Sequence, residues 1–432
     1  MFSSDNHSSS PSPEPKKSLR QKFSDLIVYP ENFPKISERT IQDFFYYVFW
    51  FFAAIQNTPI FLGILSFLMV FSWINRIHEK VFTQWSELWP DGGRWMPVAI
   101  LAAIFYISST IWSPDRTHTL LSWLYGVWTP LLIVIFQYQF IGGLFHWRKM
   151  LAFFLMHLIF ILNGTMASAS SQNDFLVTQY EWPLYYFSKQ ASQSWLLMIY
   201  PIFFGLLWHQ DKQHRRFSII GLSLIFFLTF IIGKLSLWMG LFISTLVMLI
   251  AFLWTGKCHY VFSHFLSTHK LGLKKAFSLL LFTGLFSIIG LLKNKGLEIV
   301  SGWDTIKSIS IPSTRILING FGLGQDILYK VYPAHIKNMI DIPWFFGFFL
   351  QVGIVGFLLA LWVWLASIFG FISDLYSEKP DFQWIGTIGL GVSSSIAICA
   401  CLSRTDLGTF MIPAALVSTM LWSLKRFLSE KK

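Results

Sequence analysis

Residues 217–254 read FSIIGLSLIFFLTFIIGKLSLWMGLFISTLVMLIAFLW, two apolar runs (217–233 and 236–254) parted by a single charge, Lys234. Each is close to the roughly 20 residues that a helix needs to cross a bilayer. In hydrocarbon no water is present to satisfy backbone N–H and C=O groups, so a run of this kind spans as a helix that bonds to itself. Lys234 then marks the boundary at which one helix ends and the next begins.

The same pattern recurs along the chain. Apolar runs fall at 43–56, 59–75, 95–112, 120–138, 150–168, 194–209, 217–233, 236–254, 277–292, 344–372, 384–402 and 409–424. The sequence therefore predicts an all-α polytopic membrane protein with about twelve transmembrane helices. Gln56-Asn57-Thr58-Pro59 reads either as a tight hairpin between the first two runs or as a kink in one long helix.

Composition agrees. Of 432 residues, 54% are apolar and only 13% are charged, against roughly 25% in an ordinary soluble domain. A soluble fold of this size needs more polar surface, and the 45 Phe, 20 Trp and 14 Tyr exclude a disordered chain. The net charge of +11 does not point to nucleic acid, because basic residues in a membrane chain first set orientation. With both termini cytoplasmic, 23 of the 33 Lys and Arg residues fall on inner segments and 10 on outer ones, as the positive-inside rule requires. Residues 1–40 hold no apolar core, so no cleaved signal peptide is expected and the first span targets the chain. Cys399 and Cys401, two apart on a helix, point away from each other and form neither a disulfide nor a metal clip.

The expected organisation is a disordered cytoplasmic tail (1–42), a membrane region of nine spans (43–292), a large outer loop (293–343) before the third-last span, three further spans (344–424) and a short cytoplasmic tail (425–432). A second long outer stretch covers 169–193. Long loops in compact proteins are commonly functional.

Candidate chemistry gathers on the outer side. Lys234, a charge at the membrane boundary, is either a functional cation or a side chain that snorkels from a hairpin turn. Arg315 lies in the large loop with Lys293, Lys295, Lys307, Lys330 and Lys337. Its planar fork suits phosphate oxygens, and clustered cations stabilise a diphosphate leaving group without a metal; a solvated basic loop near anionic lipid is the bland alternative. His335 is the loop's single histidine and can take a proton from an attacking hydroxyl. Asp341 is the carboxylate alternative, or else a helix N-terminal charge. Gly320-Phe321-Gly322-Leu323-Gly324 follows no strand and opens no nucleotide-binding unit, so it reads as a turn that folds the loop back on the membrane. No metal-ligand pattern occurs in an outer loop, so neither metal nor cofactor is expected.

In order and spacing these pieces resemble the O-antigen ligase and O-antigen polymerase superfamily, polytopic enzymes that transfer a glycan from a polyprenyl diphosphate carrier on the periplasmic face. Ile111-Trp112-Ser113-Pro114-Asp115 is similar to the family's Trp-Ser-x-Asp stretch after a span. Gly233-Lys234-Leu235-Ser236 opens a span where the family usually has Ser-Arg or Thr-Arg. Gly320 to Gly324 resembles a glycine-rich segment in the large periplasmic loop, and Phe349-Leu350-Gln351-Val352-Gly353-Ile354-Val355-Gly356 resembles the following helix start. Two departures stand out. Ile342-Pro343-Trp344 replaces a histidine-bearing segment just before that helix, and Lys234 replaces the usual Arg, keeping charge but losing the fork.

The resemblance implies a GT-C-like, metal-independent, inverting glycosyltransferase of the bacterial inner membrane, with its active site facing the periplasm. Lys234 and Arg315 would bind the diphosphate of an undecaprenyl-linked glycan donor, and His335 or Asp341 would orient or deprotonate the acceptor. That acceptor would be lipid A core, another glycan (polymerase) or a protein Ser/Thr (O-oligosaccharyltransferase). Tyr180 and Trp182 would stack on sugar faces, although interfacial anchoring explains them equally well. From a different class, a transporter or flippase of the same lipid-linked glycans would favour charged or broken helices near the midplane.

Overall fold

The computed structural model describes residues 96–135, 151–162 apart from 152 and 160, 189–207, 212–232, 235–254, 278–289, 314–324, 344–402 and 407–430, with isolated positions 48, 64 and 331. The N-terminal tail, the runs at 43–56 and 59–75, and the candidate residues Lys234, His335, Asp341, Tyr180 and Trp182 lie outside the described residues.

Among the described residues the fold is all-helical, without strands. In chain order the labelled helices are α1 (Met96–Ser108), α2 (Arg116–Ile135), α3 (Lys189–Leu206), α4 (Lys212–Ile232), α5 (Leu235–Trp254), α6 (Ser278–Ile289), α7 (Thr314–Asn319), α8 (Trp344–Leu375), α9 (Pro380–Leu402) and α10 (Leu407–Glu430), and the described residues of 151–162 are helical as well. Within each apolar run from 95 onward the described residues are helical, apart from the turn residues Trp112 and Leu207. By length and composition α2, residues His214–Ile232 of α4, α5 and α8 are able to cross a membrane; α1 with its 3-10 turn, Gln193–Leu206, α6 and Met411–Trp422 are shorter apolar helices. The architecture is that of a helical membrane protein.

α3 is the innermost element. Trp195 to Tyr200 and Ile202 to Phe204 are buried on every side, enclosed by α4, α5, α9 and α10. A helix that is apolar all round belongs in such a position. Glycines allow the close approach: a Cβ on Gly205 would stand 2.5 Å from Ile388, one on Gly240 2.4 Å from Leu197, and one on Gly391 2.6 Å from Met248. Small residues serve this purpose in membrane bundles, where packing rather than water exclusion holds helices together. Two buried polar contacts run between helices. Ser244 donates to the Gly391 carbonyl at 3.1 Å, and Trp384 Nε1 to that of Gly205 at 2.9 Å.

Apolar side chains also cover the outside. Leu101, Ile104, Phe230, Leu281, Trp362 and Phe369 are all more than half exposed. In water an apolar surface of this extent is a liability; against lipid it is the expected exterior.

One end of the bundle is tied by polar contacts. Asp374 of α8 pairs with Lys425 of α10 at 2.7 Å, and Trp254 Nε1 at the end of α5 donates to the Tyr376 hydroxyl at 3.1 Å. α8 and α9 meet closely just before this end, where a Cβ on Gly389 would lie 2.1 Å from the Phe371 ring. Gly389→Val is therefore expected to overpack the α8–α9 contact and cost about 1–3 kcal/mol, read as a fall in the thermal unfolding midpoint in detergent.

Candidate active site

α8 has 32 residues, which at 1.5 Å per residue would make a rod of about 48 Å, well beyond the ~30 Å of a hydrocarbon core. It is not one rod. At Gly353 the backbone takes φ 68° and ψ −176°, a region essentially reserved for glycine. The break separates a short N-terminal piece, Trp344–Val352, from Ile354–Leu375, and the latter alone is about 33 Å long.

A break of this kind leaves backbone groups without helical partners. In an unbroken helix the carbonyls of Leu350 and Gln351 would accept from the amides of Ile354 and Val355. They accept instead from the glycine segment: Phe321 N–H donates to Leu350 O at 3.0 Å and Gly322 N–H to Gln351 O at 2.9 Å. The Gln351 side chain adds a third bond, its Oε1 accepting from Gly324 N–H at 3.0 Å. Gln351 is 4% exposed, so it fastens the loop rather than facing water.

Gly320 ends α7, its amide bonding the Ile316 carbonyl at 2.7 Å with φ 74°, the left-handed stop that favours glycine. The fit between the two segments is reciprocal. A Cβ on Gly320 would stand 2.2 Å from Gln351 O, and one on Gly353 would stand 2.2 Å from Ile318 O. Leu323 is wholly buried in a small apolar cluster with Ala102, Tyr106, Phe348 and Val352. The Tyr106 hydroxyl donates to Gly356 O at 2.6 Å, which joins α1 to α8 just past the break.

The third wall comes from the connection between α1 and α2. Pro114 lacks a donor and cannot continue the helix. Asp115, in an extended conformation, caps α2 by accepting from His118 N–H, at 3.1 Å through Oδ1. Its other oxygen, Oδ2, stands 3.0 Å from His118 Nδ1. Ser113 Oγ accepts from Asp115 N–H at 3.2 Å and shares a 2.7 Å hydrogen bond with Thr119 Oγ1. These two hydroxyls abut the glycine segment: a Cβ on Gly322 would lie 2.8 Å from Ser113 Oγ and 3.0 Å from Thr119 Oγ1.

Three segments far apart in the chain, Trp112 to Thr119, Gly320 to Gly324 and Leu350 to Gly353, thus form one site. No family model and no curated protein matches the chain. Its chemistry has to be read from the residues themselves. Of the residues singled out from sequence, Arg315 is described: it is exposed on α7, the short helix that leads directly into the glycine segment. The glycines do fold the loop back, onto α8 and the start of α2.

Sequence reading did not single out His118, Thr119 or the structural roles of Gln351 and Gly353. A signal existed for the first: Pro-Asp-x-x-His is the pattern of an N-cap whose third helical residue can reach back. Trp112 Nε1 is buried with no hydrogen-bond partner, so it remains a donor at this site. Among the described residues no group of three or more His, Cys, Asp or Glu side chains could hold a metal ion.

Gly353→Ala is expected to be severely destabilising. It adds about 1–3 kcal/mol of backbone strain and forces the Ile318 carbonyl away from a 2.2 Å approach. Gly284→Ala, whose Cβ would meet only the Phe242 ring at 3.1 Å, is the comparison. Thermal unfolding in detergent should show a large loss for the first and a small change for the second.

Proposed function

We propose that the chain is a metal-independent, inverting glycosyltransferase of the O-antigen ligase type. In this reading it transfers a glycan from an undecaprenyl-diphosphate carrier to an acceptor, lipid A core, at the periplasmic face of the bacterial inner membrane. The observation that carries the proposal is the convergence of Trp112 to Asp115, Gly320 to Gly324 and Leu350 to Gly353. Three of the four segments on which the family resemblance rests touch one another through backbone and side-chain contacts.

Orientation rests on the charge distribution and agrees with the contacts. Segments given to the cytoplasm by the positive-inside count meet each other in the Asp374–Lys425, Trp254–Tyr376 and Gly205–Trp384 contacts. Those given to the periplasm meet at the glycine segment. Both termini are then cytoplasmic.

In the reaction, the acceptor hydroxyl attacks the anomeric carbon from the face opposite the diphosphate, which leaves with its electron pair and inverts the centre. Arg315 and Lys234 hold the diphosphate and stabilise the charge that develops on it. His335 or Asp341 orients or deprotonates the acceptor, and Tyr180 and Trp182 stack on the donor's sugars. O-antigen polymerases and protein O-oligosaccharyltransferases share the donor and differ in acceptor.

The broken helix α8 favours a second reading, a transporter or flippase of lipid-linked glycans, because transporters bind substrate at discontinuous helices. Their breaks lie near the midplane. Here Ile354–Leu375 is about one hydrocarbon thickness long, a length that suits a break at an edge and supports the enzyme reading.

The test is transfer by the purified protein in liposomes, with defined undecaprenyl-diphosphate glycan, EDTA, and lipid A core, a second glycan or a Ser/Thr peptide as acceptor. Transfer to lipid A core is expected, with Arg315→Ala lowering the rate about 10²–10³-fold and Arg315→Lys less so. Donor crossing the bilayer without transfer to any acceptor would replace the enzyme by the transporter.

A further inference from the structure

We infer that α7 lies in the surface of the bilayer, with Leu317 and Ile318 inserted among lipid chains as an extension of the lipid-facing side of α8. The partner is the membrane lipid itself, and the inference stands apart from the transferase reading.

The burial pattern gives α7 two sides. Ile316 and Asn319, three residues apart and so neighbours on one face, are the less exposed pair, whereas Thr314, Arg315, Leu317 and Ile318 are exposed. Leu317 is 38% exposed and Ile318 42%. Single aliphatic side chains at a surface are ordinary. Two adjacent ones on a helix of six residues become informative through what adjoins them.

That neighbour is fixed by contact. A Cβ on Gly353 would stand 2.2 Å from Ile318 O, and one on Gly320 2.2 Å from Gln351 O, so the C-terminal end of α7 is seated on the break in α8. Immediately past the break Ile354, Val355 and Leu358 are exposed too, and Trp362 and Phe369 continue the apolar surface along the helix. α8 is the least enclosed of the four described helices able to cross a membrane, which makes it the most lipid-facing of them. Leu317 and Ile318 therefore adjoin the end of a surface whose remainder belongs in hydrocarbon.

Depth follows from length. Ile354–Leu375 is about 33 Å long at 1.5 Å per residue, against the ~30 Å of the hydrocarbon core, so an element resting on Gly353 lies at the edge of that core. There an amphipathic segment buries its apolar side chains at the acyl boundary and keeps its cation among the headgroups. Arg315, three residues before Ile318 and so beside it on the helix, then stands at the level of the lipid phosphates, whose oxygens its planar fork can bind. In water the same segment would enlarge an exposed apolar patch. The glycine segment is thus held twice, by its bonds to α8 and by the lipid that α7 enters.

The experiment places the full-length chain in phospholipid liposomes and reads depth, not activity. Cys258→Ser, Cys399→Ser and Cys401→Ser remove the native thiols, and a nitroxide is attached at Leu317→Cys, Ile318→Cys, Leu358→Cys or Glu378→Cys in turn. Power saturation is compared between oxygen, which concentrates in lipid, and a water-soluble nickel chelate. Leu358 supplies the lipid value and Glu378, in the turn between α8 and α9, the aqueous one. Labels at 317 and 318 are expected to be relaxed more by oxygen than by nickel, at a shallower depth than the label at 358. If nickel reaches either label as readily as it reaches the one at 378, or if neither reagent reaches it because protein covers it, the inference is overturned. The parent chain supplies a measurement free of substitutions. A phospholipid with a diazirine high in its acyl chain, photolysed in the same liposomes, should modify Leu317 or Ile318, located by mass spectrometry in the tryptic peptide that begins after Arg315. Modification of the exposed side chains of α8 without either of these two overturns the inference, and this arm decides alone if the labelled variants lose the parent's unfolding midpoint. Neither arm reads glycan transfer, so the outcome is separate from that of the transferase reading.

Discussion

Two backbone carbonyls, those of Leu350 and Gln351, lose their helical acceptor roles where α8 breaks at Gly353. Leu350 and Gln351 are buried, and an unsatisfied amide or carbonyl in such a setting costs several kcal/mol. The glycine segment supplies the missing donors from Phe321 and Gly322. It can approach only because Gly320 and Gly353 carry no side chain: each Cβ would collide with the carbonyl of the residue two before the other glycine. Everything else at that end follows from this pairing. Leu323 finds its cavity, Gln351 its amide partner, and Ser113 and Thr119 the flat backbone of Gly322 against which they close.

Away from that end the interior obeys simpler rules. α3 is buried all round, and its neighbours approach through glycines rather than through interlocking large residues. Some polar atoms inside are answered from another helix, as by Ser244 with Gly391 and Trp384 with Gly205. Cross-helix bonds of this kind add little energy individually, but they fix which helix faces lie together. The site is thus mounted on a closely packed support.

The helices were legible because hydropathy acts over long runs: the stretch from 217 to 254 contains no signal other than apolar length and one charge. The glycine segment was legible as a turn, since three glycines in five residues have few other uses. Its partner was not. Gly353 sits in an apolar run where glycine usually marks close packing, and a positive φ leaves no trace in composition. The Asp115–His118 pair was hidden differently. Its spacing is short and local, but the turn that carries it closes, through Ser113 and Thr119, on Gly322, about 200 residues away in the chain. Arg315 could be chosen by chemistry alone, and its helix does lead into the site.

The break in α8 also bears on how a lipid-borne substrate would arrive. On the proposed reading Ile354–Leu375 fills the hydrocarbon, and Trp344–Val352 with the glycine segment bonded to it would lie at the level of the lipid headgroups. A molecule anchored by a long isoprenoid tail carries its polar end at the same level. It would reach this site by lateral diffusion within the leaflet, a two-dimensional search, with its tail never drawn out of the membrane.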